Sequence, residues 1–434
     1  MTYLLVLALC QLVAAHVAKN GDAVFAQRYG FGMGEKSRLL AQPKPSPGLA
    51  RRLEGGKPRL HASVDTIHGH LQPITVSWTD VEYTSANDWI GVWPANTKYT
   101  LFEAPLKFKF VCEPCQNASI VPPILPPVNG SIDFIMQNYR EDLVFIYVHG
   151  TSQYPESIAR SQVVTVANPQ MPQGGHLSFV EGANGRVDHY RMRIQWSSAP
   201  VDKPVVKWGT KSGQYTMSSQ YTNPSNVPVV PYTQADMCDT DVQPAGLHGF
   251  FPPPSNHTVV MYKLEPETRY YYVYGSDEGG FSPERSFVSA PLPSPSHRTV
   301  IAAFGDMGNT EADGSYHHSW DFDDKGEIPS QNTTNQIAAN KDAEFVLHIG
   351  DISYACGFLS EWDNFFAMVA PVATSKAWMT AIGNHEQGFS KSWIPGTDSG
   401  GECGVPYNAN FPWASQNPLS SFQERQPWYE IVYG

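Results

Sequence analysis

Basic side chains are in short supply in this 434-residue chain. It contains 29 Lys and Arg against 41 Asp and Glu, which leaves a formal net charge of −12 at pH 7. Binding of nucleic acid needs a clustered basic surface, so this balance argues against a nucleic-acid partner. The acidic excess also provides no long-range attraction for an anionic substrate, whose binding would need a local positive charge.

Long apolar runs are missing from most of the chain. After residue 15, no segment approaches the ~18 apolar residues of a membrane-spanning helix, so we expect no membrane span. Residues 1–15 are apolar from Tyr3 onwards and end in Val13-Ala14-Ala15, which predicts a signal peptide cleaved before His16 and a secreted protein. Because an early Lys or Arg is lacking, a short hydrophobic N-terminal segment is the alternative.

Cysteine is also sparse, with six in the whole chain, one of them Cys10 in the predicted signal peptide. Cys112 and Cys115 have the spacing of a redox or zinc motif, but no second pair of this spacing completes a four-thiolate zinc site. We therefore expect a small local disulfide between them. Because the cysteines after Cys10 are odd in number, at least one thiol stays free or pairs between chains.

Four N-x-S/T tripeptides agree with export through the secretory route. Such tripeptides also arise by chance, so each is a weak signal on its own. We expect glycans at their asparagines, which are Asn117, Asn129, Asn256 and Asn332.

The first part of the chain divides by its hydrophobic periodicity. Residues 16–60 show little periodicity, which predicts a flexible lead segment. Residues 61–168 hold short alternating strands, such as one with Ile74, Val76 and Trp78 on a single face. Strands at this spacing without helical periods predict a β-sandwich.

A second β unit is predicted at residues 169–296. Its strand beyond Leu264 carries Tyr270, Tyr272 and Tyr274 on one side, a pattern that resembles the tyrosine corner of fibronectin type III domains. We expect this aromatic stripe to pack in the domain core.

The remaining residues, 297–434, show a different rhythm. Apolar strands alternate with helix-like stretches around residues 335–341 and 361–369. This alternation predicts a parallel or mixed sheet with βαβ connections. The predicted fold class is therefore multidomain, with two N-terminal β-sandwich domains followed by an α/β domain.

Three short motifs in this last region carry the candidate chemistry. They are Gly305-Asp306-Met307-Gly308, Gly350-Asp351-Ile352-Ser353-Tyr354 and Gly383-Asn384-His385-Glu386. Each follows an apolar run that predicts a buried strand. Their polar side chains therefore lie beyond the carboxyl ends of strands, where α/β sheets bind ligands and metals.

The side chains of these motifs suggest a two-metal hydrolytic site, in which metal charge lowers the pKa of water to produce a nucleophile. Asp306 and Asp351 supply hard oxygen donors, and Asp351 has enough lone pairs to bridge two ions. Tyr354, as a phenolate, favours Fe(III), whereas the neutral amide of Asn384 suits a divalent ion. His385 is placed to contact a phosphate.

The three motifs, in this order and spacing, resemble those of the large plant-type purple acid phosphatases, within the calcineurin-like metallophosphoesterase superfamily. A further match is the stretch from Asp398 to Val405, and the likeness covers residues 61–434. The resemblance implies a secreted acid phosphatase that hydrolyses small phosphate monoesters, with a metal-bound hydroxide as nucleophile.

The resemblance also implies a role for each site residue. Asp306 and Tyr354 would bind Fe(III), and Tyr354 would give the purple charge-transfer colour. Asp351 would bridge to a divalent ion (Fe, Zn or Mn), and Asn384 would bind that ion. His385 would orient the phosphate or protonate the leaving group.

One departure from the family concerns the C-terminus. The family continues past the position of Gly434 with segments that carry three more histidine ligands, so we expect an incomplete metallophosphoesterase domain of the four-layer type. His317 and His318 lie in a polar loop and are expected to be solvated, and His348 is expected in the core or supporting the site. Two alternatives stay open: a secreted binding protein without activity, and a phosphodiesterase or pyrophosphatase of the same family. The sequence does not predict the oligomeric state.

Overall fold

The computed structural model describes most of the chain after residue 56. The described residues are 57–97, 103–116, 126–150, 155–182, 186–220, 231–238, 240, 243–317, 328–388, 399–411, 429 and 432–433. The predicted signal peptide, most of the predicted lead segment, Asn117 and His318 lie outside the described residues.

Two antiparallel sheets form an N-terminal β-sandwich. Its strands are β1 (Arg59–Ala62), β2 (Thr66–Ile67), β3 (Gln72–Thr79), β4 (Trp89–Pro94), β5 (Lys107–Phe110), β6 (Gly130–Met136), β7 (Leu143–His149), β8 (Glu156–Arg160) and β9 (Thr165–Val166). One sheet has the order β1-β3-β6, the other has the order β5-β4-β7-β8, and β2 pairs with β9. Ile74, Val76 and Trp78 of β3 are all buried, because alternate residues of a strand face the same side. The predicted sandwich is confirmed, although β1 begins at Arg59, inside the predicted lead.

The second β unit is also a pair of packed sheets. Its strands are β10 (Gln173–Glu181), β11 (Val187–Ser198), β12 (Val205–Gly209), β13 (Met217–Gln220), β14 (Ser255–Tyr262), β15 (Arg269–Ser276), β16 (Gly280–Phe281) and β17 (Arg285–Val288). Tyr270, Tyr272 and Tyr274 of β15 are buried, as predicted for a core stripe. The backbone N–H of Glu265 donates to the Tyr270 hydroxyl at 2.8 Å, which is the hydrogen bond of a tyrosine corner.

An α/β region completes the described chain. Its parallel strands are β18 (Ile301–Phe304), β19 (Phe345–Ile349) and β20 (Ala377–Ala381). Its helices are α2 (Pro329–Ala339), α3 (Glu361–Ala373), α4 (Asn384–Gln387) and α5 (Val405–Asn410). A short helix, α1 (Pro244–Leu247), and 3₁₀ turns at Glu113–Gln116 and Gln234–Asp236 precede this region in the chain. Helix α2 begins earlier than its sequence pattern predicted, because a proline in the first turn favours helix initiation. Among the described residues, no helix combines the length and apolar character that crossing a bilayer requires.

One sheet crosses the predicted boundary between the second β unit and the α/β region. Its strand order is β14-β11-β10-β20-β19-β18, and β10 meets β20 in parallel through Leu177 and Ala377. Both residues belong to one hydrophobic cluster, which also contains Phe179 and Met379 from the same two strands. The two regions therefore share a core, which their separate periodicities did not predict.

Two disulfides lie within the described residues. Cys112 and Cys115 are bonded, as predicted, and Cys238 is bonded to Cys403. The thiol of Cys356 lies outside both disulfides, which agrees with the odd number of cysteines.

The prediction of a glycan at Asn256 disagrees with the folded structure. Asn256 is buried, and its amide nitrogen donates to the carbonyl of Ala409 at 3.1 Å and to the side chain of Asn410 at 2.9 Å. A glycan on this nitrogen would need solvent and would replace one of its two donated hydrogens. Asn129 and Asn332 are exposed, so glycans at both positions stay predicted.

Candidate metal centre

Three motif loops meet at the carboxyl edge of the strands β18, β19 and β20. Because these strands are parallel neighbours, the loop after each one emerges at the same edge. The first two loops are joined by backbone bonds. The N–H of Asp306 donates to the Gly350 carbonyl at 3.2 Å, and the N–H of Met307 donates to the Asp351 carbonyl at 3.1 Å.

The predicted ligands Asp306, Asp351 and Tyr354 come together at this edge. The Tyr354 hydroxyl donates to Oδ1 of Asp306 at 3.2 Å, and the carboxylate of Asp351 interacts with both of these side chains. Asp306 is exposed to solvent, whereas Asp351 is buried behind it. The cluster is therefore open on one side, where a ligand can enter.

Backbone strain is concentrated in the same residues. Asp306, Asp351 and Tyr354 have φ values of 55°, 50° and 53°, and Cys356 follows with 47°. Side chains other than glycine rarely adopt this left-handed region, because Cβ crowds the backbone there. Such conformations persist only where the surroundings hold them, and they cluster at functional sites.

The donor set fits a hard cation. Desolvation and the nearby charge of Asp351 raise the pKa of Asp306, and burial raises the pKa of Asp351. A cation beside the two carboxylates would favour their ionised forms and offset both effects. Carboxylate and phenol oxygens are also ligands that Fe(III) and other hard ions accept.

The third loop places His385 beside this cluster. Its backbone N–H donates to Oδ1 of Asp351 at 3.0 Å, and its ring lies 4.5 Å from that of Tyr354, measured between centroids. Its Nδ1 is 3.4 Å from the sulfur of Cys356. Asn384 is exposed at the start of α4, and its backbone N–H also contacts the Asp351 carboxylate. Its role as a side-chain ligand stays a prediction.

Glu386 is a structural residue of the site that the sequence reasoning did not single out. Its carboxylate accepts the N–H of Ile352 at 2.7 Å and the N–H of Gly383 at 2.9 Å, so it ties the second motif loop to the third. Burial, followed by the charge of Asp351, raises its pKa to about 8. The bond from the N–H of Gly383 is one half of a capping box, but glycine has no side chain for the other half, so the sequence pattern did not signal it.

The histidines outside the motifs have two different environments. His348 is buried among aromatic rings, 4.7 Å from Phe304 and 5.9 Å from Trp378 between centroids, and burial lowers its pKa to about 3. It is a core residue, as expected. The prediction of a solvated His317 is wrong, because His317 is fully buried with Nδ1 2.8 Å from Oε2 of Glu361. Within the described ranges, no three His, Cys, Asp or Glu side chains gather as a metal-binding group.

Two protein-family models match the chain. Residues 172–289 match the purple acid phosphatase N-terminal domain, and residues 299–434 match the calcineurin-like phosphoesterase family. The first match covers the second β unit, and the second covers the α/β region with its three motif loops. The chain belongs to the purple acid phosphatase family.

Several plant purple acid phosphatases resemble this family member along most of its length. "Probable inactive purple acid phosphatase 1" of Arabidopsis thaliana is 30% identical over 457 residues, which span 100% of this chain and 66% of the relative. A solved purple acid phosphatase from seeds of yellow lupin (Lupinus luteus) superposes with a TM-score of 0.70 at 29% identity, over 87% of this chain and 65% of that one. A nucleotide pyrophosphatase/phosphodiesterase of Hordeum vulgare is 37% identical over 152 residues, or 34% of this chain and 38% of the relative.

This purple acid phosphatase family member spans only part of the length of the Arabidopsis and lupin relatives. It spans 66% and 60% of the Arabidopsis proteins named "Probable inactive purple acid phosphatase 1" and "Probable inactive purple acid phosphatase 24". Purple acid phosphatases use a dinuclear metal centre. The cluster of Asp306, Asp351 and Tyr354 is the candidate for that centre in this chain.

Proposed function

We propose that this protein is a secreted acid phosphatase that hydrolyses small phosphate monoesters at a dinuclear centre of Fe(III) and a divalent Fe, Zn or Mn ion. The observation that carries the proposal is the contact of Asp306 with Tyr354 and Asp351 at one edge of a parallel sheet. Membership of the purple acid phosphatase family supports it.

The proposed ligands divide between the two ions. Asp306 and Tyr354 would hold Fe(III), Asn384 would hold the divalent ion, and the Asp351 carboxylate would serve both ions. When bound, such a pair supplies the positive charge that activates water and neutralises phosphate oxygens. The chain alone, with its net charge of −12, offers no comparable attraction for a phosphate.

His385 is the proposed contact to the substrate. Its backbone is bonded to Asp351 and its ring rests against Tyr354, so the imidazole is held beside the carboxylates. From this position it orients the phosphate by a hydrogen bond or donates a proton to the leaving oxygen. Glu386 supports both loops by holding the N–H groups of Ile352 and Gly383.

Two other functions have some support of their own. The names of the Arabidopsis relatives, which include the word "inactive", favour a secreted binding protein without turnover. The name of the Hordeum vulgare relative favours a phosphodiester or pyrophosphate substrate. The site residues themselves are common to the two enzymatic functions, since in both they would bind the phosphate group of the substrate.

One experiment separates these functions. The full chain is secreted from a eukaryotic host, its Fe, Zn and Mn contents are measured, and its rates are compared on p-nitrophenyl phosphate, bis-p-nitrophenyl phosphate and ATP. The proposed function predicts fastest hydrolysis of the monoester at acid pH, with a loss of at least ~100-fold in Asp351→Asn. Asp188→Asn, in the second β unit, is the matched control and should keep the wild-type rate.

Each other outcome has a clear meaning. A folded protein that binds metal only weakly and shows no turnover favours the binding protein, and faster cleavage of the diester or of ATP favours the second alternative. A secreted, folded protein without bound metal contradicts all the metal-dependent readings.

Secretion is tested in the same expression. The proposal predicts a mature N-terminus at His16 and glycans at Asn129 and Asn332, which are exposed. Digestion with an N-glycosidase should lower the mass of the secreted protein. Retention of the chain inside the cell, with an intact N-terminus, contradicts this part.

A further inference from the structure

The loop that carries Asp306 is attached to the N-terminal β-sandwich, a domain outside both family-model matches. We call residues 305–317 the Asp306 loop. At its far end, the N–H of Phe108 donates to the carbonyl of Tyr316 at 3.0 Å, and the N–H of Tyr316 donates back at 2.8 Å. The two rings stack with their centroids 5.2 Å apart. The loop thus pairs with strand β5 at this point, beside the edge of the sandwich sheet.

A buried ionic cluster reinforces this attachment. Lys107 has no exposed side-chain surface, and its Nζ lies 3.1 Å from Oε2 of Glu311 and 3.4 Å from Oδ2 of Asp313. It also donates to the carbonyl of Ile135. Lys109, two residues along the strand, donates to the carbonyl of Asp313 at 2.6 Å. Buried charges are costly unless they are paired and hydrogen-bonded, so the cluster strongly restricts the positions open to the loop.

Further contacts join the Asp306 loop to the α/β region. Nδ1 of His317 lies 2.8 Å from Oε2 of Glu361 in helix α3. The amide of Asn309 donates to the carbonyl of Ser353, in the second motif loop, at 2.8 Å. The loop is therefore held between the N-terminal sandwich on one side and the second motif loop on the other.

The backbone of Asp306 needs such support. Its φ of 55° lies in the region that residues other than glycine seldom adopt. Strained conformations of this kind relax unless the surrounding structure holds them. The segment from Glu311 to Asp313 begins five residues beyond Asp306, so its position limits how far Asp306 can relax.

We propose that Lys107 of the N-terminal β-sandwich is a positioning residue for the candidate metal centre. Through Glu311 and Asp313, it holds the Asp306 loop where Asp306 meets Tyr354 and Asp351. The inference rests on the proposed function for its chemical meaning. It gives the N-terminal sandwich a part in shaping the site, although no residue of that sandwich is proposed as a ligand.

The test measures two quantities in the full chain, which are the affinity for a cation and the protection of residues 305–317 against amide hydrogen exchange. Lys107→Met keeps an unbranched side chain that is one atom shorter and removes its charge. Mn²⁺ alone is the probe, and its affinity is measured from the electron paramagnetic resonance signal of the free ion. We expect an affinity at least tenfold weaker, with faster amide exchange in residues 305–317 and unchanged exchange in strand β4.

Arg140→Met is the matched control. Arg140 and Asp363 form a two-point ion pair, at 3.0 and 2.8 Å, that also joins the N-terminal sandwich to helix α3 but lies outside the Asp306 loop. This variant should lose stability yet keep the Mn²⁺ affinity within twofold and the protection of residues 305–317. Equal effects of the two substitutions, or a wild-type affinity in Lys107→Met, would overturn the proposal.

Two further arms keep the test decisive. If Lys107→Met does not fold, Asp313→Asn replaces it, because this isosteric change weakens the pairing with Lys107 and the bond from the N–H of Ile135, now 2.7 Å long. If the wild type binds no Mn²⁺, the proposed function fails, and amide exchange alone decides the positioning role. Selective exposure of residues 305–317 in Lys107→Met then supports it, and unchanged protection contradicts it.

Discussion

Gly383 lies against Asp351 with no room for a side chain. A Cβ at this position would lie much closer than 3.0 Å to the backbone N and the Oδ1 of Asp351, and real Cβ atoms do not approach other atoms so closely. It would also lie 2.9 Å from the Cγ of Asp351. The backbone at Gly383 is otherwise ordinary, with φ −104° and ψ −176°. Any residue adopts these angles, so Gly383→Ala tests the close approach to Asp351 and nothing else.

The expected size of the effect follows from this geometry. Ordinary contact requires Asp351 and residue 383 to separate by roughly 1 Å, and a misplacement of this size can cost about 100-fold in site function. A 100-fold weaker cation affinity corresponds to about 2.8 kcal/mol. Overpacking should also lower the free energy of unfolding by about 1–3 kcal/mol.

Three measurements check the prediction: Mn²⁺ affinity by calorimetry, the rate of phosphate ester hydrolysis and the free energy of unfolding in urea. Gly69→Ala is the control, because nothing lies within 4 Å of a Cβ at that position. It should leave all three quantities close to the wild-type values. A Gly383→Ala protein that keeps the wild-type Mn²⁺ affinity would refute the reasoning, because Asp351 would then have no part in cation binding.

Three further predictions concern the stability of the fold. Glu386→Ala leaves the buried N–H of Ile352 and the partly buried N–H of Gly383 without this acceptor and should lower the free energy of unfolding in urea by about 1–4 kcal/mol, whereas an unchanged value would contradict the tie between the loops. Cys403→Ser removes the bond to Cys238 and should cost about 2–5 kcal/mol in calorimetry, an effect that Cys238→Ser should reproduce and that the double variant should not exceed. Burial opposes the charged form of His317, but Glu361 and Glu311 together outweigh it and raise the pKa of His317 to about 10. The unfolded value is ~6.5, so this ion pair stabilises fully below it and is lost as the pH rises towards 10. His317→Gln should therefore flatten the decline of stability over that range, and an unaltered slope would count against the ion pair.

Local patterns predicted the parts of the fold that depend on local physics. The alternation of Ile74, Val76 and Trp78 reflects the two faces of a strand, and the burial of all three follows directly. The motif loops were predictable for the same reason, since an apolar run that ends in Gly-Asp predicts a buried strand followed by a polar turn. Tyr354 reaches Asp306 because adjoining parallel strands bring their loops to one edge.

Other features depend on contacts between distant parts of the chain, which periodicity does not encode. The meeting of β10 with β20 joins Leu177 to Ala377, and a strand's own sequence does not specify which edge it will meet. His317 reads as polar loop sequence, yet it is buried against Glu361. The sequon at Asn256 is a three-residue pattern and carries no information about burial.

The most direct test of the central claim, that Asp306, Asp351 and Tyr354 bind one metal centre, is the visible absorption spectrum of the full chain loaded with Fe(III). We predict a broad visible band from charge transfer between the Tyr354 phenolate and Fe(III), with iron content measured in parallel. Tyr354→Phe should abolish this band. A colourless wild-type protein that retains iron, or an unchanged band in Tyr354→Phe, would contradict the account.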